Sequence, residues 1–405
     1  MTQDKPTALA ATNLFKPIKV GNVTLKNRLV HTPTTRKRNT ESFVATDLML
    51  QYYTDRAQNN GGLIIAEATF ISLQGGLMRR APGIWNKDQT KAWKKIVDAV
   101  HAEGSFMSSQ FWHLGRMGEP DVLKEWGQKY IGPSAVYRNE ESEKAAIDAG
   151  NELLAMTKED IQQLKDEYIN AADNAFEAGF DFIEVHAAHG YLFDQFLREA
   201  TNKRTDEYGG SIENRARLLL EILDMLIEKY GAERVAVRLS PYVRGMLGPE
   251  GLVSHPIVTF SYVFDQLEKR AKAGNRLGYV SIVEPRVDGS VNAVNRSSLE
   301  NNEWIFQIWE GVVLRAGAYL SDEGYQNLVH DVDLNDRTLI GVSRYYTSNP
   351  DLVERLKQGY PLQPYNRPTF YTSTNYGFNT WKKYGETWKD DAESEEAKRL
   401  PVSLV

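Results

Sequence analysis

Two histidines and a tyrosine stand close together in the run Val185-His186-Ala-Ala-His189-Gly190-Tyr191. Paired imidazoles can donate N–H bonds to a carbonyl or phenolate oxygen, polarising a conjugated C=C so that its β-carbon accepts hydride. A nearby phenol, with a reference pKa near ~10, holds its proton at neutral pH and can pass it to a carbanion or enolate forming beside it. Two plainer readings compete: a metal pair for the histidines and a packed core aromatic for the tyrosine. The i, i+3 spacing runs off a strand into a glycine turn, and no carboxylate–histidine cluster joins it, which argues against a metal. The residues alone leave the packed tyrosine open.

That run must be carried by a scaffold, and the chain alternates strand-like with helix-like segments. Apolar or β-branched runs that suit buried parallel strands lie at 28–35, 62–71, 105–113, 180–188, 235–241, 278–285, 312–317 and 338–344. Between them come amphipathic stretches. The clearest is 88–103, where Trp93, Ile96, Val97 and Val100 recur at helical spacing before Gly104. Thr46-Asp47, Thr157-Lys-Glu-Asp160, Ser321-Asp322-Glu323 and Asn349-Pro350 read as helix starts, and further helical patterns cover about 213–230, 256–274 and 301–309. Eight strand–helix units in a row predict an α/β fold, a closed (β/α)8 barrel formed by residues 1–405 as one domain. The histidine run then ends the fourth strand, on the face where barrel active sites lie.

Three segments break the rhythm. Pro17–Leu25 reads as a hairpin about Gly21-Asn22 that plugs the barrel bottom. Residues 114–157 are too long for an ordinary connection and read as a cap inserted over the site after the third strand. The tail, 389–405, is highly charged and reads as a frayed helix or disorder.

With 41% apolar and 25% charged residues, the chain has globular composition and can bury a large core. No apolar run approaches the roughly 18 residues of a membrane span. The absence of cysteine excludes disulfides, zinc–thiolate and iron–sulfur sites and a cysteine nucleophile. The N-terminus lacks the pattern of a secretory signal, so a cytoplasmic protein is expected. A formal charge of −6 argues against nucleic acid or an anionic membrane as the main partner, while leaving room for a local cationic pocket.

The stretch from Val185 through Leu197, followed by Arg204-Thr-Asp-Glu-Tyr-Gly-Gly-Ser-Ile-Glu-Asn-Arg-Ala-Arg217, closely resembles the Old Yellow Enzyme family. So do Phe15-Lys-Pro-Ile18, Thr35-Arg36, Gln110-Phe-Trp112, Arg238-Leu-Ser-Pro241, Glu284-Pro-Arg286, Arg315-Ala-Gly317 and Ser348-Asn-Pro-Asp-Leu352, in unbroken order across roughly 13–385. The resemblance implies non-covalent FMN, NADPH or NADH as hydride donor, and reduction of the activated C=C of α,β-unsaturated carbonyls and nitroalkenes. It implies His186 and His189 as the carbonyl-binding pair and Tyr191 as proton donor.

For the cofactor it implies Thr35 at the flavin C4 carbonyl, Gln110 at the pyrimidine edge and Arg238 beside N1, with Pro33 and Ala68 completing the contacts. Barrels commonly bind phosphate with the loops after strands seven and eight, which points to Gly317, Ser343 and Arg344. Trp112, Phe370 and Tyr371 are expected pocket walls, and Tyr346 either a wall or core. The loop 286–303 is a candidate for covering the substrate. Yeast relatives differ in carrying Gly where Ser343 stands, Asn where Ala318 stands, and a His–Asn pair in place of His186 and His189. His31, His101, His255 and His330 read as surface or packing residues. The alternatives are a specialised biosynthetic reductase or isomerase of the same fold, and a metal-dependent barrel hydrolase. Expected partners are an enone and a nicotinamide sharing one site, with no nucleic acid or membrane, in a monomer or homodimer.

Overall fold

The computed structural model describes residues 7–245, 247, 255–289, 291–293, 300–387 and 391–405. Eight short strands form the centre: β1 (Leu29–His31), β2 (Leu63–Ile65), β3 (Phe106–Trp112), β4 (Phe182–Ala187), β5 (Val235–Leu239), β6 (Tyr279–Val283), β7 (Val313–Ala316) and β8 (Thr338–Val342). Each pairs in parallel with the next, and β8 pairs with β1, so the sheet closes into a barrel. Parallel strands covered by helices on one face and packed interior on the other have no solvated side, and β4 to β8 are buried at every position. That is why each reads in the sequence as a mostly apolar run rather than an apolar–polar alternation.

Seven helices follow the strands: α1 (Asp47–Ala57), α2 (Lys87–Ala102), α3 (Lys158–Glu177), α4 (Ile212–Tyr230), α5 (Pro256–Lys272), α6 (Gln326–Asp333) and α7 (Leu352–Gln358). α2 starts on a capping box of Asn86 and Gln89 and buries Trp93, Ile96, Val97 and Val100, the stripe expected from their spacing. Thr157 and Asp160 form the expected capping box of α3. Between β6 and β7, where helical patterning covered 301–309, only a 3-10 turn forms at Glu303–Gln307. Arg337 takes the carbonyls of Phe306 and Trp309, which therefore do not continue an i to i+4 ladder.

The hairpin forms as expected, with Ile18–Val20 antiparallel to Val23–Leu25. Ile18, Val20 and Leu25 pack on Phe182, Tyr279, Leu314 and Leu339 at the N-terminal end of the barrel. Gly21 turns at φ 49°, and a β-carbon there would stand 2.0 Å from the Glu233 carbonyl oxygen. This end is a packed plug, which leaves the C-terminal face for the site.

Two segments take up positions that the sequence leaves open. Residues 114–157 form the short helices Pro120–Glu125 and Glu140–Ala149 and a small parallel pair, Ile131–Gly132 with Leu154–Ala155. No residue of the insertion lines the cavity described below. Its own core of Val122, Leu123, Tyr130, Ala146 and Leu153 draws it sideways onto Phe70 and Trp112. The charged tail is ordered over residues 391–405: Ala397 is buried, Leu404 N–H bonds the Ala45 carbonyl, and Arg399 pairs with Asp47 at 2.8 Å. One of its charges, Arg399, has a partner on α1, which composition does not reveal. No helix among the described residues is long and apolar enough to cross a membrane.

Candidate active site

A cavity of about 440 Å³ opens at the C-terminal ends of the strands, within the size range that holds a cofactor or small ligand. Strand alternation decides what enters it. On β4, Phe182, Glu184 and His186 point inward; on β3, Ser108, Gln110 and Trp112 do; on β5, Ala236 and Arg238 do. Arg238 is level with His186 on the neighbouring strand, and Gln110 is level with Glu184. Residues far apart in the chain thus meet in two successive layers.

After β4 the backbone turns sharply, with His189 at φ 57° and Gly190 at φ 72°. A left-handed histidine is uncommon, and the turn is held from several sides. The His189 N–H bonds Ser240 Oγ at 2.8 Å, and the Gly190 N–H bonds Asp194 Oδ2 at 2.9 Å. Asp194 in turn pairs with Arg198 at 2.8 Å, and Arg198 donates to the Ser240 and Pro241 carbonyls beyond β5. Gln195 donates to the Gly190 and Leu114 carbonyls, fastening the insertion to the same turn. Asp194, Gln195 and Ser240 lie inside stretches that carry the family resemblance but receive no role from the sequence, and Arg198 follows directly on one of them.

The turn brings three rings together. The His186 and His189 centroids lie 5.7 Å apart, and Tyr191 stands 5.0 Å from His186 and 5.0 Å from Trp112, edge to face with both. Trp112 is fixed by stacking on Phe70 at 4.9 Å. His186 Nδ1 accepts the Ala188 N–H at 3.3 Å, which assigns its proton to Nε2. Burial drives the His186 pKa well below the usual histidine value, with the charges of His189 and Arg238 adding to it. His189 is pushed down to about 3 by burial and by Arg238. Both imidazoles are therefore neutral at pH 7. Burial raises the Tyr191 phenol above its usual value, so it keeps its proton.

Every residue expected in the site lines this cavity: Pro33 and Thr35 after β1, Ala68 after β2, Gln110 and Trp112 on β3, His186, His189 and Tyr191, Arg238 on β5, Gly317 after β7, Ser343 and Arg344 after β8, and Phe370 and Tyr371. Tyr346 does not; it is buried in the core, stacked on His31 at 4.5 Å. Of the loop 286–303, residues 290 and 294–299 lie outside the described residues, while Val287–Asp288 and Val291–Asn292 pair as a small hairpin.

Several lining atoms have donors and nowhere to send them. His189 Nε2, Trp112 Nε1 and Arg238 Nε are buried without a hydrogen-bond partner. Buried donors are normally satisfied, so this set fits a bound group rich in acceptors. Gln110 donates to Glu184 Oε1 at 2.6 Å, which fixes its amide, and Glu184 is fully buried behind it. At the other end, Gly317 adopts φ 152°, where a β-carbon would lie 2.8 Å from that of Glu284. Beside it, Ser343 Oγ is bonded to Thr34 Oγ1 at 2.8 Å, and Arg344 is steadied by Asn292 at 2.7 Å and Tyr365 at 3.2 Å. Backbone and guanidinium there form a cradle of the kind that holds phosphate.

Residues 13–363 match the model of the NADH:flavin oxidoreductase / NADH oxidase family. The chain belongs to the Old Yellow Enzyme family. It superposes on the crystal structure of the Old Yellow Enzyme from Pichia sp. AKU4542 with a TM-score of 0.92 and 56% identity, covering 98% of this chain and 100% of that one. It is 51% identical over 381 residues to a probable NADPH dehydrogenase of Candida albicans, spanning 93% of this chain and 92% of the relative. Enoate reductase 1 of Kluyveromyces lactis is 42% identical, spanning 94% and 96%. The chain is an oxidoreductase of a family that uses FMN with a reduced nicotinamide, and the cavity's unmet donors and phosphate cradle suit that cofactor.

Proposed function

We propose that the protein reduces the activated C=C of α,β-unsaturated carbonyls and nitroalkenes, taking hydride from NAD(P)H. The observation that carries this reading is the cluster of two neutral imidazoles, His186 buried and His189 half-buried, beside the half-buried, protonated phenol of Tyr191 in a cavity with unmet donors. FMN, when bound, supplies a redox centre that accepts hydride from the nicotinamide and returns it to the alkene. Gln110 and Arg238 would hold its ring edge, with Thr35, Pro33 and Ala68 against the ring and Gly317, Ser343 and Arg344 at its phosphate.

His186 Nε2–H and His189 Nε2–H bind the substrate's carbonyl or nitro oxygen and stabilise negative charge growing there. Because neither imidazole carries a net charge, they polarise without giving up a proton. Tyr191 donates its proton to the α-carbon from the face opposite the incoming hydride, giving net trans addition. Trp112, Phe370 and Tyr371 restrict how the alkene lies. One cavity serves the nicotinamide and the alkene in turn, which makes the cycle ping-pong.

The direct test is the anaerobic visible spectrum of the holoprotein with NADPH and then 2-cyclohexenone. A flavin band near ~450 nm should bleach with the first and return with the second. Reduced protein that stays bleached with every activated alkene offered would leave the family assignment standing and remove the ene-reductase reading.

A further inference from the structure

The described lining of the cavity carries three cations, Lys37, Arg238 and Arg344, and no carboxylate, in a chain with a net charge of −6. Arg238 and Arg344 belong to the ends assigned above to the ring edge and the phosphate. Lys37 is left over. Its ammonium lies 5.9 Å from the centre of the Tyr371 ring, and it makes no hydrogen bond or ion pair among the described residues. Lys37, Tyr371 and the proton donor Tyr191 all line the same cavity.

The backbone holds Lys37 there. It adopts φ 56°, a left-handed conformation that a lysine takes only where its neighbours are fixed. Both neighbours are. Arg36 donates to the Phe370 and Gly377 carbonyls at 3.1 and 2.7 Å, and Arg38 donates to Thr369, Phe370 and Thr374 at 3.0, 2.8 and 3.0 Å. A side chain between two locked residues loses less freedom when it meets a ligand than one on a free loop. Burial raises the pKa of the nearby Glu119 and Lys37 lowers it, and the two form no ion pair among the described residues.

We propose that Lys37 is a specificity residue that recognises an anionic group projecting from the cavity mouth, either a phosphate of the nicotinamide dinucleotide or a carboxylate on the alkene substrate. The inference rests on the ene-reductase reading and adds the charge class of the ligand to it. A neutral ligand gains nothing from an unpaired ammonium, whereas an anion exchanges solvent for a charge-assisted hydrogen bond.

The test uses holoenzyme with wild-type Lys37, K37M and K37R, and two matched comparisons. One is 4-oxo-2-pentenoate against its methyl ester; the other is NADPH against the uncharged donor 1-benzyl-1,4-dihydronicotinamide. K37M should lower the kcat/KM ratio of acid to ester, or of NADPH to the neutral donor, by about three- to tenfold, with K37R restoring it. The ratio that moves identifies the source of the anion. In parallel, NADP+ binding is followed by quenching of tryptophan fluorescence, which needs no turnover. Ratios and NADP+ affinity all unchanged within about twofold would overturn the proposal. Wild-type protein that reduces neither ester nor acid with any donor would instead sink the ene-reductase reading, while the fluorescence titration would still judge Lys37.

Discussion

Tyr191 is walled by Trp112 and His186, and burial lifts its pKa away from the working range, while the same burial holds His186 and His189 neutral. The three groups therefore do not titrate where the enzyme works. His189, pushed down to about 3, is uncharged throughout pH 5 to 9, His186 is driven in the same direction by burial, and a phenol raised above ~10 stays protonated across the same window. The rate of alkene reduction by prereduced protein should accordingly be flat over that window. A limb with a midpoint between 6 and 7 would show that an imidazole titrates and that the neutral pair is misassigned. Y191F removes the proton and little else, so alkene reduction should fall by about 10²- to 10⁴-fold while bleaching by NADPH changes only slightly. Stopped-flow measurement of both half-reactions separates them, and equal losses in the two would rule out the proton-donor role.

At the scale of elements, the turn after β4 depends on a strut made by other parts of the chain. Asp194 receives the Gly190 N–H and holds Arg198, whose remaining donors reach the carbonyls after β5. Replacing one partner of a buried pair strands the other charge. D194A should therefore destabilise the protein by about 3 kcal/mol or more, read as a lowered denaturation midpoint. It should also slow alkene reduction, because His189 keeps its left-handed backbone only while the turn is braced. Normal stability in D194A would mean the strut is dispensable.

This strut marks the border of what the sequence reveals. The barrel was legible because its strands, buried on both sides, read as unbroken apolar runs, and α2 and α3 carry their caps in neighbouring residues. The site was legible because His186, His189 and Tyr191 are consecutive enough to read as one feature, and motifs at other strand ends matched a family. Ser240, Asp194 and Glu184 were not, since a serine or acid has many ordinary uses and their partners lie across strand boundaries. The position of the insertion after β3 is illegible for a related reason. Its length and composition identify an insertion, but only the packing of Leu123 and Tyr130 against Trp112's layer shows which side of the opening it takes.

Across the whole molecule, the C-terminal tail straps the first helix to the wall of the cavity. The Asp47 N–H bonds the Val402 carbonyl at 2.9 Å and the Val402 N–H bonds Asp47 Oδ1 at 2.8 Å, so the start of α1 is capped from the tail. The Asn375 and Tyr376 N–H groups bond the Arg399 and Ala397 carbonyls at 2.9 Å each. Those residues follow the Phe370-Tyr371 wall, which Arg36 and Arg38 fasten from the other side. Arg36 and Arg38 are themselves costly to bury, and Glu67, raised to about 7 by burial, receives the Arg36 N–H at 3.2 Å. The wall is thus held by a guanidinium clamp inside and the tail outside. Deleting residues 394–405 should remove the outer half, costing about 2–4 kcal/mol from several lost hydrogen bonds and the burial of Ala397. Among the described residues, 394–405 make no hydrogen bond or ion pair to Gln110, Gly317, Ser343 or Arg344, so flavin should be retained while KM for a bulky enone rises several-fold more than KM for 2-cyclohexenone. Thermal midpoints and the two KM values check this together. A truncated protein with an unchanged midpoint and unchanged KM ratio would show that the clamp alone sets the wall, and loss of flavin would show that the strap reaches the cofactor end as well.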